Sequence, residues 1–421
     1  MDRIQSLRAA VLAEATENIL PFSMRHVVDQ AQGGFYGHVA NDGTADPGAP
    51  KGLVQHGRML WTFAHAGRIL VNPEYWPVAL HAYTALVDWF HDREHGGFFW
   101  TVDHAGHPLD TDKVIYGQAF VLYGLAEQYR AGGDEGCLEQ AVELYRLIEA
   151  RGRDPHSGSY YEVCGRDWTP LPERHLDPTP LPVAWGMNTH LHLLEAYAGL
   201  LRALDDGGPA GLGLQNELRA SLRALVHVLL ERIVDPDTHH MALYFDRDWR
   251  PLSDEVSCGH DIEASWLLVE AAEVLGEPGL LARARETALQ MAGAVLEQGL
   301  GADGGLFDEG PAALSNEGPA ALDEDGSGAA AGRDRTWWPQ AEAVVGFLNA
   351  YQLGGEERFL DASLASWAFI RQRFSDRQYG DWYHSVDAAG RPHDREKAGF
   401  WKTPYHNARA CFEVLARTLS S

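Results

Sequence analysis

One pattern recurs six times along the 421 residues. An acidic residue is followed, usually four residues later, by a small pair and an aromatic strand, and then by a helix-like run that opens on polar groups. The segments are DQAQGGFYGHV from Asp29, DREHGGFFWTV from Asp92, DPHSGSYYEV from Asp154, DPDTHHMALYF from Asp235, GADGGLFDE from Gly301 and DRQYGDWYHSV from Asp376. The fifth lacks the leading Asp, and the fourth carries His239 and His240 where the others carry small residues. A unit of roughly sixty to eighty residues repeated in this way buries its apolar face only against its neighbours, so the repeat governs the fold before any local motif does.

Every unit has the same internal order. An outer helix comes first, expected over residues 12–28, 76–91, 135–150, 215–233, 278–297 and 357–373. A short strand pair follows. An inner helix then opens with KGLVQHGRMLW from Lys51, DKVIYGQAFVLYGLAE from Asp112, GMNTHLHLLEAYAGL from Gly186, CGHDIEASWLLVEAA from Cys258, TWWPQAEAVVGFLNAY from Thr336 or WKTPYHNARACFEVL from Trp401. Twelve helices alternating like this close into an all-α ring of six inner and six outer helices, an (α/α)6 barrel with short β-hairpins at one end. An open helical solenoid is the competing architecture, and the count of six favours closure.

Length alone would allow two or three domains, whereas the repeat predicts a single barrel domain over residues 1–421. No apolar stretch reaches the roughly eighteen residues a membrane span needs. The N-terminal MDRIQSLRAAVLAEATENIL has acidic residues and helical periodicity in place of a signal peptide's apolar block, so a cytoplasmic protein is expected. Cys137, Cys164, Cys258 and Cys411 are scattered without a CxxC spacing, which suggests core residues and neither a structural zinc nor a disulfide framework. The net charge of −26, from 34 basic and 60 acidic residues, repels nucleic acid and anionic membranes. Residues 309–335, where EGPAAL occurs twice, read as a flexible insertion, with a lid over the barrel mouth as its functional version and a solvated loop as its plain one.

Chemistry enters when the inner helices are overlaid by their apolar pattern. One shared position holds Arg58, Gln118, His192, Glu263, Glu342 and Arg409. Three residues earlier stand Ile115, Thr189 and Pro339 in the second, third and fifth units, but His260 and His406 in the fourth and sixth. One helical turn puts His260 over Glu263 and His406 over Arg409. Two imidazoles then face one cavity from different sides of the ring, as a two-base proton transfer requires. Arg58 is placed to stabilise the oxygen charge that develops. Tyr116, Trp337, Trp338, Trp401 and Tyr405 crowd the same ends and offer flat apolar faces suited to a sugar ring. Each residue alone is more often a cap or a core group; their coincidence at one end of the ring favours function.

The strings ENILPF from Glu17, GMNTHLHLLEAY from Gly186, GHDIEASWLL from Gly259, WWPQAEAVVGF from Trp337 and WKTPYHNARAC from Trp401 make the chain similar to the cellobiose 2-epimerase branch of the N-acylglucosamine 2-epimerase superfamily. The resemblance implies an (α/α)6 barrel and epimerisation at carbon 2 of an aldose, with neither metal nor other cofactor. It implies that His260 and His406 are the acid/base pair, that Arg58 lies near the carbonyl and enediolate oxygens, and that His192, Glu263 and Asn188 form a supporting shell with a part in ring opening. Tyr116, Trp338 and Trp401 would hold a mono- or disaccharide, and Asn188, Trp337 and Glu342 at the same helix ends are expected to bind substrate with them. Three segments depart from the disaccharide pattern: PLPVAW before the MNTH string, with Trp185 and two prolines; His56 ahead of Arg58; and the 309–335 insertion.

A free hexose, mannose or glucose, therefore stands as the alternative substrate, with aldose–ketose isomerisation as the alternative outcome. An inverting glycoside hydrolase would need two carboxylates about 6.5–9.5 Å apart, and Glu263 with Glu342 are the candidates. A silent sugar binder would keep the aromatics and leave the two histidines without a task. The 20 histidines raise a metal site, but no HExxH set occurs. Monomer and homodimer are both open.

Overall fold

In the computed structural model, residues 3–177, 179–207, 212–311 and 334–419 are described. Among these residues, twelve long helices alternate between an outer and an inner ring. The outer ones are α1 (Arg3–Ala13), α3 (Trp76–Ala85), α5 (Glu135–Leu147), α7 (Leu212–Val228), α9 (Pro278–Gln298) and α11 (Glu357–Phe369). The inner ones are α2 (Leu53–Ile69), α4 (Ile115–Gly132), α6 (Met187–Asp205), α8 (Cys258–Leu275), α10 (Trp337–Gly354) and α12 (Tyr405–Arg417).

Burial explains the two rings. α5 buries Cys137, Leu138, Ala141, Leu144 and Tyr145, a one-sided stripe at three- and four-residue spacing. Asp134 starts it by accepting the Gly136 amide at 2.9 Å. α2 is instead buried on all sides from Leu53 to Ala64, as a helix enclosed by a second ring must be. α1 begins at Arg3, nine residues before the expected start, because Leu7 and Val11 are buried where this helix packs on α12.

Five outer helices run on through a wider π turn into the hairpin, at Ser23–Val27, Leu86–Phe90, Ile148–Gly152, Leu229–Ile233 and Ile370–Phe374. α9 has no such turn, and its hairpin is the one without a leading Asp. That Asp organises the hairpin. Asp29 Oδ1 accepts the amides of Ala31 and Gln32 at 3.0 and 2.9 Å, and Asp92, Asp154, Asp235 and Asp376 make the corresponding pairs of bonds. In three units the second oxygen takes a buried lysine from or just before the strand ahead of the inner helix: Lys51 at 2.7 Å, Lys113 at 2.9 Å, and Lys397 on Asp376. Removing one partner of such a pair costs about 3–5 kcal/mol, so these bonds fix hairpin to helix.

Strands pair between neighbouring units. Lys51–Gly52 joins Thr101–Val102, Lys113–Val114 joins Val163–Cys164, and Trp185–Gly186 joins Tyr244–Phe245. Glu255–Ser257 joins Glu309–Pro311, and Arg335–Thr336 joins Ser385–Val386. Ala398–Gly399 returns to His38–Val39, which closes the ring and excludes an open solenoid. The architecture is an (α/α)6 barrel. Both ends of the segment expected to be a flexible insertion are therefore strand; residues 312–333 lie outside the described residues. All four cysteines are buried and unpaired, and among the described residues no helix is long and apolar enough to cross a membrane.

Candidate active site

A side chain near the start of each inner helix ties that helix to its own hairpin. Gln118 accepts the Phe98 amide at 2.9 Å and donates to the Phe98 carbonyl at 2.8 Å, and Gln340 does the same with Leu306 at 2.8 and 2.8 Å. His56 and His190 accept the amides of Phe35 and Tyr160 at 3.3 Å, each with its other ring nitrogen on a carbonyl of the preceding turn. Asp261 accepts the Met241 amide at 2.8 Å, and Asn407 donates to Asp381 Oδ1 at 2.6 Å. These latches set the true register. Two residues beyond them stand Arg58, Phe120, His192, Glu263, Glu342 and Arg409.

The expected equivalence of Gln118 with Arg58 is therefore corrected. Gln118 is a latch, and the place facing Arg58 belongs to Phe120, whose ring lies 4.3 Å from the guanidinium carbon. Gln118 was the polar residue available in that stretch, and residue type alone could not reveal the two-residue offset. Gly117 likewise replaces Ile115 as the counterpart of His260 and His406. His56, read as a departure near the site, is the first unit's latch.

The inner-helix starts enclose a cavity of about 620 Å³, within the usual range for small-molecule sites. Arg58, Tyr116, Asn188, His192, His260, Glu263, Trp337, Trp338, Trp401 and His406 line it. Glu342 does not. It sits behind the wall, with Oε1 2.7 Å from His406 Nδ1 and Oε2 accepting the Trp266 indole at 3.0 Å, so the expected contact of Glu342 with substrate is corrected to support of His406.

The two histidines are oriented alike. Ser257 Oγ donates to Asp308 Oδ1 at 2.7 Å, so it accepts from His260 Nδ1 at 2.8 Å. His406 Nδ1 is committed to Glu342. Nε2 is thus the basic nitrogen of both rings, and the Trp338 indole lies against both, at 4.6 Å from His260 and 5.6 Å from His406 between ring centres. Burial, reinforced by the nearby His192 and Arg58, holds His260 down at about 3. Burial with Arg58 and Arg409 holds His406 well below its ordinary value, so both rings are neutral at physiological pH.

Arg58 donates to the Trp401 carbonyl at 3.0 Å and the Tyr116 hydroxyl at 2.8 Å, and its buried Nε has no protein partner. His192 Nδ1 meets Glu195 Oε2 at 2.9 Å. The other oxygen of Glu195 accepts from Tyr405 and Arg409. Sequence reasoning passed over Glu195, although its spacing three residues after His192 on a buried helix was a usable signal. Ser257, Asp308, Glu162, Asp177, His384 and Arg395, also on the wall, come from strands and loops that carry no such period.

Arg409 donates to Glu342 at 2.7 Å and also to Glu263. Burial raises both carboxyls, Glu263 to about 7 with the charge of Glu342 contributing. Glu263, Glu342 and His406 offer ligand atoms within 4.8 Å of one another, the one set among the described residues that could hold a metal ion. The Arg409 guanidinium already supplies the positive charge there. The same spacing is too short for the two carboxylates of an inverting glycosidase, and Glu342 does not reach the cavity.

Fold and site together define a sugar-converting barrel enzyme with paired imidazoles. Residues 34–410 match the family model of N-acylglucosamine 2-epimerase. A cellobiose 2-epimerase of Bacteroides fragilis is 40% identical over 99% of this chain and 100% of the relative. The solved cellobiose 2-epimerase of Bacillus thermoamylovorans B4167 is 34% identical, with a TM-score of 0.87 over 98% of this chain and 100% of that one. More distantly, a D-mannose isomerase of Marinomonas mediterranea is 24% identical over 91% of each chain. The chain belongs to the N-acylglucosamine 2-epimerase family, in its cellobiose 2-epimerase branch. It is a sugar 2-epimerase of the isomerase class.

Proposed function

We propose that this enzyme interconverts the glucose and mannose configurations at carbon 2 of the reducing-end sugar of a disaccharide such as cellobiose, with His260 and His406 as the acid/base pair. The observation that carries the reading is the pair of imidazoles, each with Nδ1 hydrogen-bonded and Nε2 without a protein hydrogen-bond partner among the described residues, set against one indole in the cavity that Arg58 also lines. In this mechanism His192, backed by Glu195, assists ring opening. One histidine takes the carbon 2 proton, and Arg58 stabilises the enediolate oxygens with its directed N–H groups. Rotation about the bond between carbons 2 and 3 presents the other face, and the second histidine delivers a proton there.

Both rings start neutral, so the delivering ring must first be charged. That proton enters at Nε2, since Nδ1 already carries one toward Ser257 or Glu342; the substrate hydroxyl or solvent supplies it, and the enediolate's negative charge favours imidazolium formation. Tyr116, Asn188, Trp337, Trp338 and Trp401 hold the sugar in this reading; Trp401, 38% exposed at the rim, suits a second ring. Protonation at carbon 1 from the same enediolate gives a ketose as a minor product.

Incubation with cellobiose, mannobiose, mannose, glucose and N-acetylglucosamine, with products resolved by chromatography, tests the substrate. The reading expects glucosyl-mannose from cellobiose as the main conversion. Faster turnover of free mannose than of cellobiose would replace it with a hexose enzyme.

A further inference from the structure

Two of the six latches differ in kind from the others. Where the latch is His56, Gln118, His190 or Gln340, the hairpin residue it meets is preceded by a small one: Gly34, Gly97, Ser159 or Gly305. Space requires this at two of them. A Cβ on Gly34 would lie 2.7 Å from His56 Nε2, and one on Gly97 would lie 3.0 Å from Gln118 Oε1. In the fourth and sixth units the latch is shorter, Asp261 or Asn407, and the small residue is replaced by His240 or Asp381. His240 Nδ1 reaches Asp261 Oδ2 at 2.6 Å, and Asp381 accepts from Asn407 at 2.6 Å and from Lys402 at 3.2 Å. All of these side chains are buried.

These are the two units whose inner helices carry His260 and His406, each one residue before its latch. Backbone strain accompanies the exchange. His239 and Asp381 adopt φ of 62° and 57°, in the left-handed region that L side chains rarely visit, and the residue aligned with His239 is glycine in every other unit. The hairpin bond is kept in the fourth unit: Asp261 holds the Met241 amide at 2.8 Å, against 2.9 Å for the longer Gln118 on Phe98. Asp261 thus makes with a side chain one methylene shorter the hairpin bond that Gln118 makes in the second unit.

We propose that the His240–Asp261 and Asp381–Asn407 pairs are positioning residues that set the helix starts bearing His260 and His406, and so place each imidazole for its own face of carbon 2. This rests on the two-histidine reading. A misplacement of about 1 Å at a reacting group can cost on the order of a hundredfold in rate, which is the scale a methylene addresses.

The test transplants the second unit's pairing into the fourth, as His240→Gly with Asp261→Gln, and follows exchange of the carbon 2 hydrogen with deuterium oxide under retention, separately from each epimer. Exchange from the epimer served by His260 should fall by about tenfold or more with KM unchanged, while the other stays within about twofold. Asp261→Asn, of equal length, should restore the lost rate. Should the double variant not fold, Asp261→Glu, longer by one methylene with its charge kept, should give the same one-sided loss. Equal loss from both epimers, or no loss from either, overturns the proposal. His260→Asn run beside these separates the two claims. If it leaves both exchange rates intact, the two-histidine reading itself fails; if it removes one rate that the longer latch leaves untouched, only the positioning role fails.

Discussion

At Arg58 a buried guanidinium meets the Tyr116 hydroxyl and the Trp401 carbonyl, lies over the Phe120 ring, and keeps its Nε–H without a protein partner. A charge held this rigidly before substrate arrives suits an oxyanion more than a ground-state hydroxyl. Arg58→Lys keeps a cation but loses the planar fork, and should lower kcat by about 10²–10³ with a smaller change in KM. A kcat within a few-fold of the parent would remove Arg58 from the enediolate. For the imidazoles, His260→Asn and His406→Asn should each lower turnover by about 10² or more while the far-ultraviolet circular dichroism is unchanged. Near-parental turnover in either variant would dissolve the pair.

Among the elements, the latches bind helix to hairpin, and two of them are histidines. Burial holds His56 and His190 neutral, at about 3 and about 4 against an ordinary 6.5. The unfolded chain takes up protons on both as pH falls below about 6.5, whereas the folded chain resists until near 3–4. Their contribution to stability is therefore complete above about 6.5 and is lost progressively as pH drops toward 3. His56→Gln, which copies the second unit's latch opposite the same kind of glycine, should melt close to the parent at pH 7 and lose less stability between pH 6.5 and 4. Parallel melting curves across that range would mean His56 is not the group taking up the proton.

The latches also show what a sequence hides. The hairpin strings, the helix order and the placement of His260 and His406 on one cavity were legible because repeat and helical spacing are local. The register of the second unit was not, since only the bond from Gln118 to Phe98 distinguishes a latch from a site residue. Glu342 was placed on the right face of α10 but one layer too far forward, because depth along a buried face leaves no periodic mark. Ser257 and Asp308, 51 residues apart in the chain, meet only through the strand pairing of Glu255–Ser257 with Glu309–Pro311.

Across the whole molecule, the barrel's interior is tied by Arg409 on α12, which reaches Glu195 on α6, Glu263 on α8 and Glu342 on α10. One cation thus links four of the six inner helices just beneath the cavity. Arg409→Met would leave Glu195, Glu263 and Glu342 without their shared cation, and should cost about 3–5 kcal/mol, read as a lower denaturant midpoint along with loss of activity. An unchanged midpoint would show that the ring is held by apolar packing alone.

In the proposed mechanism the carbon 2 proton is removed on one face and replaced on the other by groups that exchange with water. Conversion in deuterium oxide, stopped early and read by proton magnetic resonance, tests it directly. Product epimer should carry deuterium at carbon 2 from the first turnovers, with activity surviving exhaustive dialysis against a chelator. Epimer that forms with its original hydrogen still at carbon 2 would rule this mechanism out.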